Sequence, residues 1–148
     1  MPGSLRIALS LSLALLGTVG CGSNHGCVPV GGTVTYKGKP VAEGEVSFVP
    51  VEGDGRTGRG EISSAGVYQL TSFDPGDGVV PGKYKVSVVS RGPDKPIPAK
   101  KKGRMMEEDM QGSGDPLIPA KYFMPETSGL EREVEAAKTN TFNFELTD

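Results

Sequence analysis

The feature that most constrains this chain is a period of two. Polar and apolar residues alternate over short runs, as in Glu45-Val46-Ser47-Phe48-Val49 and Lys83-Tyr84-Lys85-Val86-Ser87-Val88. Successive side chains of a β-strand face opposite sides, so such runs have one buried and one wetted face. No run sustains the three-to-four spacing of an amphipathic helix. The same alternation occupies residues 33–36, 60–63, 67–71, 131–136 and 142–146. Between the runs lie turn signals: Lys37-Gly38-Lys39-Pro40, a polar loop at 52–58, Ser64-Ala65-Gly66 and Asp74-Pro75-Gly76-Asp77-Gly78. With 22 glycines and 12 prolines in 148 residues, long helices are excluded. Seven short strands separated by turns predict an all-β fold, an antiparallel sandwich. Its core is expected from Val34, Val46, Phe48, Ile62, Tyr68, Leu70, Tyr84, Val86, Val88, Val134, Phe142, Phe144 and Leu146.

One stretch interrupts the rhythm. Residues 91–129 hold six prolines and no alternation, and read as a long loop insertion. Its first part is basic, with Lys100-Lys101-Lys102 and Arg104, and Glu107-Glu108-Asp109 follows at once. A helix over 104–111 would carry positive charge at its N-terminal end, against the helix dipole, so at most a frayed turn is expected there. Tyr122 and Phe123 are aromatics without a strand to belong to. Lys100, Lys101, Lys102, Tyr122 and Phe123 are therefore the candidate partner-binding residues. Two alternatives stay open. The whole excursion is a solvated stretch without function, or Ile118 and Tyr122 pack back on the sandwich and only residues 94–114 are free.

The N-terminus reads as an address. A single cation, Arg6, precedes the ten-residue apolar run Ile7 to Leu16, and small residues follow up to Gly20. That is the layout of a secretory signal over residues 1–20, and the run is far too short to span a bilayer. Thr18-Val19-Gly20-Cys21 resembles the bacterial lipobox, which implies lipid attachment at Cys21 and anchoring to a membrane of the cell envelope. Gly22 after the cysteine implies the outer membrane. Residues 21–29 are then a tether. If Cys21 carries no lipid, the chain is secreted or periplasmic and a Cys21–Cys27 disulfide becomes available. Cys21, His25 and Cys27 lack a fourth ligand at a suitable spacing, so no metal is assigned to them.

Three further strings carry a resemblance. Gly32-Thr33-Val34-Thr35-Tyr36-Lys37-Gly38-Lys39-Pro40-Val41 with Gly44-Glu45-Val46-Ser47-Phe48, then Ala65-Gly66-Val67-Tyr68-Gln69-Leu70, then Pro81-Gly82-Lys83-Tyr84-Lys85-Val86-Ser87-Val88 resemble carboxypeptidase regulatory-like, or transthyretin-like, domains. Ala65 stands where that family usually has Asp. Ile118-Pro119-Ala120-Lys121-Tyr122 and Thr127-Ser128-Gly129-Leu130 are similar to stretches of small bacterial lipoproteins built on this domain. The resemblance spans roughly residues 30–147. It implies a transthyretin-like or Ig-like sandwich and an envelope location, and carries no reaction with it.

Chemistry is scarce. The one histidine, His25, lies in the expected tether, so a Ser-His-Asp or Cys-His unit has no base on the sandwich. Glu131, Glu133 and Glu135 read as the wet face of a strand. Asp74 and Asp77, or Glu52 and Asp54, offer two carboxylates where Ca²⁺ takes about six to eight oxygens, and are expected to serve turns. Met105, Met106 and Met110 read as a partly apolar loop rather than a soft-metal site. A formal net charge of −2 gives no pull towards nucleic acid. The expectation is a non-catalytic envelope module without cofactor, bound to a membrane through its lipid and to an envelope protein. A carbohydrate-binding module is the alternative, with Phe73, Tyr122 and Phe123 as the aromatic candidates in a chain that has no Trp. No Lys–Asn isopeptide is expected, because Asn143 faces away from Phe142 and Phe144.

Overall fold

Nine strands in two sheets account for nearly all the regular structure in the computed structural model, which describes residues 25–53, 55–94, 114–136 and 138–148. They are β1 (Val30–Tyr36), β2 (Lys39–Pro40), β3 (Gly44–Pro50), β4 (Gly58–Ile62), β5 (Val67–Gln69), β6 (Gly82–Val89), β7 (Leu130–Val134), β8 (Asn140–Thr141) and β9 (Phe144–Leu146). A 3-10 turn, Ala120–Phe123, precedes β7. One sheet runs β4-β3-β6-β7, antiparallel throughout; the other is organised around β1, with β2 and β5 antiparallel to it. The chain is an all-β sandwich.

The turns form where the sequence marked them. Gly38 and Gly66 hold φ of +75° and +77° in the β1–β2 and β4–β5 turns, a region that side chains with a Cβ resist. Alternation delivers the expected faces: in β4 every second residue is buried, and in β3 Val46 and Phe48 point inward. Phe48 is fully buried, and its ring lies 5.9 to 6.2 Å from Tyr84, Phe142 and Phe144. Side chains from both sheets therefore meet on one aromatic ring. Twelve of the thirteen expected core residues are buried; Phe142 is half-exposed and packs against the core from its rim.

The expected seven antiparallel strands need correction in two respects. Two-residue β2 comes from Lys39-Pro40, which reads as a turn, and the last alternating run breaks into β8 and β9. Both of these last strands pair with β1 in parallel, Val30 beside Asn140 and Val34 beside Phe144. The cause is the path of the chain. β7 ends at the same end of the sandwich where β1 begins, and the chain crosses to the other sheet between Val134 and Asn140. β8 thus starts level with the start of β1. Asn140 holds the crossing: its Nδ2 donates to Glu135 O and Lys138 O, both near 3.0 Å, and its Oδ1 accepts from Glu135 N.

The sandwich is joined on one long side and plugged on the other. On the first, Arg59 and Thr71 exchange two backbone hydrogen bonds between β4 and the end of β5. On the second, β7 pairs only with the first part of β6, from Gly82 to Val86. Beyond Val86 the gap is filled from residues 114–129, the second part of the expected loop insertion. Ile118 and Tyr122 are 4% and 6% exposed there, and Leu117 N donates to Ser90 O. Nearer the chain start, the Arg132 guanidinium lies over Phe144 at 4.8 Å and Phe142 at 5.9 Å. A cation–π lid tolerates water on one side while keeping it off the rings.

Removing the shared ring is the sharpest test of this arrangement. Phe48→Ala is expected to lower the unfolding free energy by about 3–5 kcal/mol, as for buried aromatics generally. Val67→Ala, on a side chain 48% exposed, should stay within about 0.5 kcal/mol. Urea denaturation of both variants measures the difference.

Candidate functional site

β1 defines two ends. It starts at Val30, next to the N-terminal residues, and finishes at Tyr36, roughly 20 Å away at about 3.3 Å per residue. β6 runs the same way along the other sheet, from Gly82 near the chain start to Val89 far from it. The near end therefore collects residues 25–29, 50–53, 55–57, 71–82, 135–136 and 138–140. The far end collects the β1–β2 turn, residues 41–43, residues 90–94 and 114–118, and Asp148.

At the near end the expected tether is shorter than residues 21–29, because residues 25–29 are docked. Val28 exchanges two hydrogen bonds with Val79, and Pro29 O accepts from Asn140 N. His25 stacks on Phe73 with ring centroids 4.0 Å apart and planes 15° from parallel. Arg56 also lies over that ring, at 5.2 Å. What makes Phe73 a fixed platform is Asp77. Its Oδ1 accepts from Ser72 N at 2.8 Å, and its Oδ2 accepts from Phe73 N and Asp74 N at 3.0 and 3.1 Å. The Cys27 thiol lies beside the same carboxylate. Partial burial would raise the Asp77 carboxyl, but the three backbone donors, with the thiol beside them, outweigh it and hold the group below its ordinary value. Burial first, then the Asp77 charge, pushes the Cys27 thiol up. Cys27 is thus a protonated, free thiol.

The far end is built differently. Asp148 accepts from Tyr36 Oη at 2.5 Å and pairs with Lys37 Nζ at 2.7 Å, and Lys121 Nζ donates to its main-chain oxygen. Tyr122 Oη donates to Thr147 O and accepts from Thr147 N, at 3.0 and 3.1 Å. Beside this cluster lies a recess of about 200 Å³, mostly apolar, between Tyr36, Val41, Ala42, Leu117 and Ile118. The two stems of the 91–129 excursion are stitched together at this end. Gly92 N donates to Asp115 O at 2.8 Å, Arg91 Nη1 donates to Gly114 O, and the Arg91 guanidinium covers Phe123 at 4.7 Å.

A third feature is an open polar groove of about 450 Å³ where β4 meets β5. It is lined by Glu45, Arg59, Glu61, Gln69 and Thr71. Glu45 and Glu61 stand directly opposite each other on β3 and β4. Like charges in that register oppose sheet formation.

The residues expected from sequence are thus scattered. Cys21, Lys100, Lys101 and Lys102 lie outside the described residues. Tyr122, expected as an exposed partner-binding residue, is buried because its ring fills the gap beside β6 and both of its hydroxyl interactions are spent on Thr147. Phe123 is half-buried beneath Arg91. Phe73 is 38% exposed. Asn143 is exposed, with its Oδ1 accepting from Thr33 N and Oγ1. Among the described residues no three His, Cys, Asp or Glu side chains gather to hold a metal ion, and no helix is long and apolar enough to cross a membrane. The His25–Phe73 and Cys27–Asp77 contacts had no local signal in the sequence, since each joins residues nearly fifty positions apart. No family model, curated protein or solved structure matches the chain.

Asp77 gives a pH-dependent expectation with a definite sign. A carboxyl held below its unfolded value of 3.8 contributes stability that is fully present above that value and drains away as pH falls through the lower, folded value. Asp77→Ala should cost about 1–3 kcal/mol at neutral pH, the range for leaving such donors unpaired. The gap between parent and variant should narrow below pH 3.8. Urea titrations at neutral and strongly acid pH check this; a gap that does not narrow would show that Asp77 acts through shape alone.

Proposed function

We propose that this chain is a lipid-anchored, non-catalytic module of the cell envelope that presents its far end to a protein partner. The observation that carries the reading is the polarity of the fold. Cys21 precedes the near end by four residues, while residues 94 and 114, which bracket the basic stretch with Lys100, Lys101 and Lys102, sit together at the far end. A sandwich about 20 Å long thereby separates a membrane attachment from a charged excursion. Arg91, Gly92, Asp115 and Pro116 join the two ends of that stretch at the domain. The resemblance to lipoprotein-borne transthyretin-like domains supports the same assignment. The outer membrane is the site that Gly22 favours.

A second reading has its own observation. The β4–β5 groove offers carboxylates, a guanidinium, an amide and a hydroxyl in one open channel, a set of hydrogen-bonding groups suited to a glycan. Among the described residues no aromatic lines it, so a sugar there has no stacking platform from them.

Mass spectrometry of the mature N-terminal peptide tests the anchor: an acylated Cys21 is expected, and an unmodified cysteine would make the protein soluble. Cys21→Ser should move the protein from the membrane to the soluble fraction with its thermal midpoint unchanged. Replacing residues 95–113 by a short Gly/Ser link should leave the thermal midpoint within a few degrees, because loop-closure entropy varies by only about 0.6 kcal/mol per doubling of length. The same change should abolish crosslinking to the envelope partner. Undiminished crosslinking would shift the binding surface to the strands, and a glycan array showing retention lost in Arg59→Ala would favour the groove.

A further inference from the structure

The near end carries an aromatic in an unusual position. Phe73 is 38% exposed at the tip of a loop that Asp77 holds rigid through three backbone N–H groups, and Val51, 47% exposed, lies at the same end. A fixed loop that displays a ring to solvent forgoes the burial of its apolar surface. His25 and Arg56 against the ring add two groups able to donate to phosphate. Only three residues, four chain steps, separate His25 from Cys21, a reach of at most about 14 Å whatever their path. If Cys21 carries acyl chains, this end is confined to the membrane surface.

We infer that the near end is a bilayer-docking surface, with Phe73 and Val51 seated among lipid headgroups and His25 and Arg56 at the phosphate level. This inference rests on the anchor reading and adds an orientation to it: β1 stands away from the membrane, and the far end faces outward. The ring belongs to the class of side chains that settle at the boundary between headgroups and acyl chains, about 5–10 Å deep. Bulk charge does not drive the seating. Glu52, Asp74, Asp77 and Glu135 share this end with Arg56, Lys138 and His25, so the face has no excess of cations for anionic lipid. The docking surface is accordingly predicted to work on a zwitterionic bilayer and to resist salt.

The absence of Trp from the chain makes the test direct. Phe73→Trp supplies a single fluorophore at the near end, Leu117→Trp a control at the far end, where Leu117 is 46% exposed. Each lipidated full-length variant is reconstituted in phosphatidylcholine vesicles whose acyl chains are brominated near the headgroup. The expected result is a blue-shifted emission and a loss of intensity for Phe73→Trp that persists at high salt, with neither change for Leu117→Trp. Equal emission from the two variants would overturn the orientation while leaving the anchor intact. An unacylated Cys21 in the same preparations would overturn both. Should Phe73→Trp disturb the Asp77 loop, Val51→Trp reads the same end, and emission from it unaffected by the brominated lipid would also overturn the orientation.

Discussion

The two sheets meet on Phe48, and most of the remaining architecture answers the demand that this ring stay dry. Its neighbours come from both sheets: Tyr84 on β6, Phe144 on β9 and Phe142 in the link just before β9. Aromatic pairs at these separations add about 0.5–1.5 kcal/mol each beyond area burial, so the cluster ties the sheets together more specifically than aliphatic packing does. It also creates a problem. Phe144 on β9 and Phe142 just before it lie at the open side of the sandwich, where β7 is too short to cover them. Arg132 covers one part of that side and Tyr122 another. Arg132 points inward from an edge strand, and an inward charge also discourages pairing of that edge with another chain.

The parallel placement of β8 and β9 follows from the same need. Phe144 reaches Phe48 only if β9 lies beside β1, and the crossing between Val134 and Asn140 brings the chain in at the near end. The direction of β9 is then forced, and Thr147 and Asp148 arrive at the far end beside Tyr122, Tyr36 and Lys37. The exposed Lys37–Asp148 pair contributes little by itself. The buried Tyr122 hydroxyl matters more, because it gives residues 118–123 a directional contact as well as an apolar one. The second half of the 91–129 excursion is therefore part of the fold.

The sheet-forming residues were legible because their pattern is local. Alternation marked Val46 and Phe48 or Tyr84, Val86 and Val88 without knowledge of any partner strand. Val79 was not legible: it is fully buried between turn residues, by virtue of one bridge to Val28. Ile118 and Tyr122 show no strand period and sit among prolines, so their packing on the sandwich was legible only as one of two open alternatives; their burial depends on a gap created by strands elsewhere. Phe142 fell short for the converse reason, since the alternating run breaks between β8 and β9 and leaves it at the rim. At the near end, Asp74-Pro75-Gly76-Asp77-Gly78 announced a turn, and Asp77 serves one. That the same carboxylate receives the Cys27 thiol depends on how the N-terminal residues return across the sheet.

The state of Cys27 bears on how the N-terminal residues are held. A disulfide to Cys21 needs a thiolate on one partner, and Cys27 is the wrong side of that requirement. Burial and the Asp77 charge favour its protonated form. Ionising Cys27 would put two negative groups together beside the three backbone donors that hold Asp77 low. The loop presenting Phe73 is thus most stable when Cys27 stays a free, protonated thiol. One carboxylate links the conformation of the 71–78 loop to the docking of residues 25–29.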